Sequence, residues 1–254
     1  MTLPAGFVFS QASLQDFVEC PRRFELRYVR DVRWPSARDN AVTEWERHAQ
    51  QGATFHRLIH RHTIGIPTET LSRAAKEHDI LQWWQAFLQT PPQGLPAQTR
   101  RSEVRLSAPI GNHRLTARYD LLAIDPGDRA VIVDWKTNHK RPRREWLEKR
   151  MQSVVYPFVL AMAGAHLNGD QPLAPAQIEL VYWFANYPAQ TERFAYSPRQ
   201  HAIARTKIQQ LIAAIDTYDA EIWSLTDNVR KCRYCTYRTL CDREAVTATE
   251  LDAP

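Results

Sequence analysis

No stretch of this 254-residue chain approaches the roughly 20 consecutive apolar residues that a membrane span requires, so no transmembrane helix is predicted. The opening residues Met1-Thr2-Leu3-Pro4-Ala5-Gly6-Phe7 lack the basic-then-apolar pattern of a secretory signal, and the expectation is a cytoplasmic protein. There is no Gly-x-x-x-x-Gly-Lys-Ser/Thr loop to cradle a nucleotide's phosphates. A built-in ATP motor of that kind is therefore excluded. Internal repeats and low-complexity tracts are also missing. Cysteine is scarce, limited to Cys20, Cys232, Cys235 and Cys241. In a reducing compartment four cysteines so placed indicate a metal site rather than disulfides.

What is present suits a globular protein. A hydrophobic fraction of 44% over 254 residues can bury a full core. The net charge of +5 and a pI near 9.1 permit nucleic-acid binding without requiring it.

Ser10 and Ser13 can cap a short helix leading to Cys20-Pro21, and Phe24, Leu26, Tyr28 and Val29 suggest a further turn or two. After a loop at Trp34-Pro35-Ser36, Thr43-x-x-Glu46 fits a capping box that opens a helix to about Thr63. Another helix is expected from Glu69 to Leu88, closed by the proline-rich Thr90 to Pro96 segment. The period then changes. Glu103 to Leu106, Leu115 to Asp120, Ala130 to Thr137 and Ile178 to Phe184 read as strands, with a turn at Asp125-Pro126-Gly127-Asp128. A long helix is expected from Arg143 to Ala163 with a kink at Pro157, and a last one carrying Ile203, Ile208, Leu211, Ile212, Ile215 and Ile222 on one face. Strands bracketed by helices indicate an α/β core.

Asp134-Trp135-Lys136 ends the apolar run Ala130-Val131-Ile132-Val133, and Asp120 ends another strand-like stretch. Two carboxylates on neighbouring strand ends can hold a hard cation such as Mg²⁺ against a phosphodiester, where it stabilises charge and supplies a hydroxide-like nucleophile. Lys136, two residues beyond Asp134, points to the same side of the strand and could orient the attacking water or balance the developing charge. In Gly52-Ala53-Thr54-Phe55-His56 the glycine allows a close helix approach and His56 could complete the metal shell. Gln152 and Tyr156, four apart, share a helix face and can hydrogen-bond phosphate oxygens. The basic stretch His139-Lys140-Arg141-Pro142-Arg143-Arg144 could grip a phosphate backbone, and Trp83, Trp84, Trp135 and Trp146 could stack bases.

Cys232, Cys235 and Cys241 are close enough in sequence to surround one metal centre, with Cys20 as a distant fourth ligand that would clasp the chain's two ends together. Zinc and an iron–sulfur cluster both accept four thiolates.

Together these motifs resemble the PD-(D/E)XK nuclease superfamily, specifically its RecB-like branch carrying a 4Fe–4S cluster, which includes AddB-type recombination nucleases and small CRISPR-associated exonucleases. Ser13-x-x-x-Phe17-x-x-Cys20-Pro21-x-x-Phe24 is similar to the opening cysteine motif and Gly52-x-x-x-His56 to the glycine–histidine motif. Asp120 matches the first core acid, Asp134-x-Lys136 the signature pair, Gln152-x-x-x-Tyr156 the following motif, and Cys232, Cys235 and Cys241 the closing triplet. Where that group usually has a glycine shortly before its first acid, this chain has Ala117-Arg118-Tyr119, and Pro157 follows Tyr156.

The resemblance implies a restriction-endonuclease-like α/β fold, a mixed central sheet flanked by helices, as one domain over 1–254. Within it, about 1–95 would form a helical N-terminal region, 96–225 the catalytic core, and 226–245 a cysteine segment closing with Cys20. It implies that His56, Asp120, Asp134 and the Trp135 backbone carbonyl hold Mg²⁺ or Mn²⁺, that Asp120, Asp134 and Lys136 are catalytic, and that Gln152 and Tyr156 contact substrate. Glu103 would be an assisting acid. Cys20, Cys232, Cys235 and Cys241 would carry a structural 4Fe–4S cluster, with Zn²⁺ as the alternative. The function so implied is a DNA exonuclease acting on single-stranded or frayed ends in repair, recombination or CRISPR-type processing, beside a separate helicase or CRISPR partner. The alternative is a non-catalytic DNA-binding or scaffold subunit of a helicase–nuclease complex.

Overall fold

A computed structural model describes residues 3–33, 40–219 and 221–243. The chain divides into two compact units, one of residues 8–11 and 51–210, the other of 1–7, 12–50 and 211–254.

The larger unit is built on a six-stranded mixed sheet of β1 (Val8–Ser10), β2 (Thr99–Ile110), β3 (His113–Asp125), β4 (Arg129–Lys136), β5 (Ile178–Phe184) and β6 (Glu192–Ala195). β2 runs antiparallel along the whole of β3, closed by a two-residue turn in which Gly111 takes φ 56°. The opposite edge of β3 is shared. β1 pairs in parallel at Arg114 to Thr116, and β4 pairs antiparallel from Leu121 to Asp125. The turn predicted at Asp125 to Asp128 is present, with Gly127 at φ 82°. β4 continues beside β5, parallel, as far as Lys136 opposite Phe184.

Period-two alternation sorts the strands' side chains. Val131, Val133, Trp135, Val181 and Trp183 pack with Phe55, Leu58 and Ile59 of α3 (Asn40–Thr63) and with Trp83 and Trp84 of α5 (His78–Gln89). The other face is covered by α7 (Met151–Ala163), whose Val155, Phe158, Val159 and Leu160 are buried. Trp83, Trp84 and Trp135 thus belong to the core and are not base-stacking surfaces.

Three helix expectations need correction. The segment from Glu69 to Leu88 is two helices, α4 (Thr68–Ala74) and α5, because Ala75 leaves the helical region at ψ 71°. The Trp84 indole then donates to Ser72 Oγ at 2.9 Å, tying the pair together. The helix from Arg143 to Ala163 is likewise two, α6 (Arg144–Lys149) and α7, separated at Arg150 (ψ 140°), whereas α7 runs through Pro157. At the break the Leu147 carbonyl accepts both from the Arg150 N–H at 3.1 Å and from the Ser153 hydroxyl at 2.6 Å, so the end of α6 is capped from α7. In α8 (Pro198–Asp216) the buried face is Ala204, Ile208, Ile212 and Ile215, while Ile203 is exposed and Ile222 lies beyond the helix end. α3 already begins at Asn40; the Thr43 side chain and the Trp34-Pro35-Ser36 loop lie outside the described residues.

The smaller unit joins the chain's two ends. It holds most of α1 (Gln11–Glu19), then α2 (Pro21–Phe24), a π-turn over Glu25–Val29, and 3₁₀ turns at Val229–Cys232 and Arg238–Cys241. Trp223 stacks on Phe24 at 5.6 Å and on Tyr218 at 4.2 Å. Beside them Glu25 is fully buried, paired with Arg22 and Arg30 at 2.6 Å each and accepting from the Trp223 N–H at 3.0 Å. Among the described residues no helix is long and apolar enough to cross a membrane.

Candidate active site

The site forms where the sheet comes apart. β3 and β4 are paired only up to Leu121 and Val133, so the next residues, Asp120 and Asp134, stand on diverging strands. On that edge of β3, residues 117–120 fall between the part taken by β1 and the part taken by β4. The divergence leaves Trp135's backbone without β3 as a partner, and Asp120 takes that place, its Oδ2 accepting from the Trp135 N–H at 2.9 Å.

α3 brings His56 into the gap. Its Nδ1 lies 3.2 Å from Asp120 Oδ1 and its Nε2 3.1 Å from the Trp135 carbonyl. Both ring nitrogens face acceptors, which only the imidazolium can satisfy. Burial works against that charge, but Asp120 and then Asp134 outweigh it, and the His56 pKa is raised. Asp120 is held below its ordinary value, since His56, the Trp135 N–H and Lys136 together overcome the cost of burial. Gly52, one turn before His56, eases the approach, because a Cβ there would stand 3.1 Å from Thr137 Oγ1 and require a shift of a few tenths of an ångström.

On the α7 side, Lys136 Nζ reaches Asp134 Oδ2 at 2.7 Å and Gln152 Oε1 at 2.8 Å, while Gln152 Nε2 donates to Asp134 Oδ1. One amide thus spans both members of the signature pair. The ammonium also lies 5.2 Å from the centre of the Tyr182 ring, whose hydroxyl meets Ser153 Oγ at 2.7 Å. Tyr156 is buried, only 5% exposed, with its backbone carbonyl accepting from the Tyr119 hydroxyl at 2.9 Å. Sequence reading missed Tyr182 and Ser153; their signal was the register that sets Tyr182 opposite Asp134.

Glu103 sits on β2 between Ser102, opposite Leu121, and Val104, opposite Tyr119, which puts it across from Asp120. It adopts φ 58°, a left-handed conformation rare for a residue with a side chain. Its carboxylate, held by Arg118 Nε at 2.6 Å, joins His56 and Asp120 in a group whose donor atoms lie within 4.8 Å of one another. Among the described residues this is the only such group of three or more His, Cys, Asp or Glu. Arg118 and Tyr119, found where a glycine was expected, therefore hold Glu103 and the α7 backbone.

Residues 8–242 match the sequence profile of the PD-(D/E)XK nuclease superfamily. The chain belongs to that superfamily. Among solved structures it is similar to a protein from Eubacterium rectale provisionally described as an exonuclease, with a TM-score of 0.50, 9% identity, and coverage of 97% of this chain and 93% of the other. It also aligns with the protein SSO0001, with a TM-score of 0.43, 14% identity, and coverage of 95% and 88%. No curated protein matches the chain.

In this superfamily member the basic stretch after Lys136 is only partly available to a ligand. Arg141 and Arg144 both pair with Glu192 on β6, and their guanidinium groups lie over Phe184 at 5.7 Å and Phe194 at 4.1 Å. Two of its cations therefore fasten the loop to the sheet edge.

The four cysteines all lie in the smaller unit. Cys20 is buried, Cys232, Cys235 and Cys241 are half-buried, and Cys20 lies within electrostatic reach of each of the other three thiols. Burial raises those three pKa values, while Arg243, Arg23 and Arg22 respectively draw them back. No three of the four thiols come within 4.8 Å of one another.

Asp134 allows a prediction about stability. Burial, with Asp120 adding and Lys136 opposing, raises its carboxyl to about 6. A carboxyl raised above its unfolded value of about 3.9 binds its proton more tightly when folded, so its contribution to stability falls as pH rises from about 4 to 6 and stays low above. In chelator at pH 8, Asp134→Asn should melt a few degrees above wild type, on the order of 1–2 kcal/mol, and the gap should close near pH 4. Scanning calorimetry at the two pH values checks this; a variant that melts lower at pH 8 would refute it.

Proposed function

We propose that this nuclease is a metal-dependent DNA exonuclease acting on single-stranded or frayed ends, with a restriction-endonuclease-like catalytic core. The observation that carries the reading is the fork between β3 and β4, where His56, Asp120 and the Trp135 carbonyl converge beside the Asp134–Lys136 pair. The donor set suits a hard divalent cation: carboxylate oxygens, a backbone carbonyl and one imidazole, now arranged around the His56 cation. His56, Asp120, Asp134 and the Trp135 carbonyl would hold Mg²⁺ or Mn²⁺, with Glu103 assisting from β2. Such an ion, when bound, lowers the pKa of water and neutralises charge on the scissile phosphate.

The chain's own groups do the rest. Asp120 fixes the Trp135 peptide, and through it the direction of the carbonyl that faces His56. Lys136 directs its ammonium at the attacking water and the charge gathering on phosphorus, while Gln152 keeps that ammonium from swinging away. Gln152 therefore acts first as a clamp on Lys136 and reaches substrate from there, with Tyr156 beneath it. The catalytic groups Asp120, Asp134 and Lys136 are intact and convergent, which favours an enzyme over a scaffold subunit.

In the smaller unit Cys20, Cys232, Cys235 and Cys241 would carry a structural 4Fe–4S cluster. Zinc, which also accepts four thiolates, is the alternative occupant. Repair, recombination or CRISPR-type processing, with a separate helicase, would suit such an enzyme.

The test is degradation of end-labelled single-stranded DNA with Mn²⁺ by wild type and Lys136→Ala. Wild type should degrade the strand, chelator should stop it, and Lys136→Ala should fall by at least a hundredfold. Equal, background cleavage by both proteins would refute the catalytic reading.

A further inference from the structure

We propose that Trp146, with the Arg150 guanidinium against its ring, is a stacking platform for a nucleobase of the single strand entering the active site. This deepens the nuclease reading and rests on it. Trp83, Trp84, Trp135, Trp183 and Trp223 are each 3% exposed or less, whereas Trp146 is 49% exposed. An indole half open to water offers a ring face that a ligand can cover, and here the fold turns it outward beside a guanidinium. α6 is a single short helix anchored by Leu147, which is 1% exposed, so its neighbour Trp146 faces solvent.

The ring's surroundings fit a polyanion with bases. The Arg150 guanidinium carbon stands 4.7 Å from the Trp146 ring centre. Lys140, Arg143 and Lys149 are exposed on the same stretch, against Glu145 and Glu148, and Glu148 is itself paired with Arg144 at 3.7 Å. The platform also leads to the chemistry. Arg150 is the extended residue between α6 and α7, two before Gln152, the clamp on Lys136. Its charge acts on the Tyr182 hydroxyl, and the Tyr182 ring lies 5.2 Å from Lys136 Nζ. An aromatic–guanidinium pair takes the face of any base, which only an unpaired strand can offer. Sequence tolerance and preference for single strands would follow from one residue pair.

The experiment is fluorescence anisotropy with a labelled oligothymidylate and a matching abasic oligomer, in chelator so that nothing is cleaved. Trp146→Ala should bind oligothymidylate about tenfold more weakly than wild type, within the range of one stacked base, and Trp146→Phe should recover most of the loss. The abasic oligomer should bind wild type and Trp146→Ala alike. Equal oligothymidylate affinity for wild type and Trp146→Ala, or an equal loss with the abasic oligomer, would overturn the platform. Hydrolysis of bis(p-nitrophenyl) phosphate with Mn²⁺, which needs no stacking, separates the two claims. If wild type hydrolyses it while the binding prediction fails, only the platform falls; if wild type never hydrolyses it, the metal-site reading falls.

Discussion

Asp120→Asn should lower the rate of DNA cleavage roughly a thousandfold, the upper end of what one preorganised electrostatic contact contributes. The carboxylate has three roles at once. It neutralises His56 at 3.2 Å, receives the Trp135 N–H at 2.9 Å, and offers an oxygen to the group shared with Glu103. Asparagine can keep the backbone contact, so the fork should survive while the charge is lost. Titration calorimetry should then show Mn²⁺ binding weakened by an order of magnitude or more, with the fold unchanged by circular dichroism. Glu103→Gln, which loses a charge one strand away, should cost about ten- to a hundredfold, as removal of a supporting metal-site group typically does. Comparable rates for wild type and Asp120→Asn would mean that catalysis does not pass through the fork.

Glu25→Leu should destabilise the protein by about 3 kcal/mol, because it removes a fully buried carboxylate and leaves the half-buried Arg22 and the Trp223 backbone N–H without their acceptor. Arg22 and Arg30 each lose a contact at 2.6 Å, and the Trp223 N–H loses its acceptor. A fall in melting temperature of about 10 °C is expected, at 2–4 °C per kcal/mol for a chain of this size. Glu25→Gln, which can still accept from Trp223, should fall less. The pH dependence has a definite sign. Burial favours the protonated acid, but Arg22, the Trp223 N–H and Arg30 together hold Glu25 below its ordinary value. Its contribution is therefore complete above about pH 4.5 and disappears as pH falls through the lower folded pKa, so wild type and Glu25→Gln should converge in acid. Thermal melts across that range check both statements. Because Cys20 precedes α2 by one residue, the same change should also loosen the seat of the cysteines.

The parts of this fold that the sequence made legible are those governed by period. Alternation along Ala130 to Lys136 and Ile178 to Phe184 is a local property, and both strands appear where it predicts them. The candidate site residues could be picked out because Asp134 and Lys136 close β4 and Gln152 and Tyr156 repeat at helical spacing, whereas Asp120, read as a strand end, lies inside β3, which runs on to Asp125. What escaped is settled by tertiary contact. The break at Arg150 depends on Ser153 reaching back to Leu147, and the break after α4 on Trp84 reaching Ser72. β1 and β6 have only three and four residues, too short for alternation to register, yet β1 limits the open edge of β3 and β6 carries Glu192. No residue-type signal would mark Glu103 as left-handed. The basic stretch could be read only in part for a related reason, since charge counts do not show that Glu192 has already claimed Arg141 and Arg144.

The fork also separates two kinds of inheritance at position 135. The carbonyl that faces His56 belongs to the main chain, so no point substitution can delete it, and only a shift in strand path could. The indole on the same residue points into the layer of α3 and α5, against Phe87 and Trp183. Descendants of this sequence are thus free to exchange the side chain for whatever fills that layer while the working oxygen stays where it is. A search for the residues that matter, made by comparing side chains alone, would pass over this position and still find the chemistry intact.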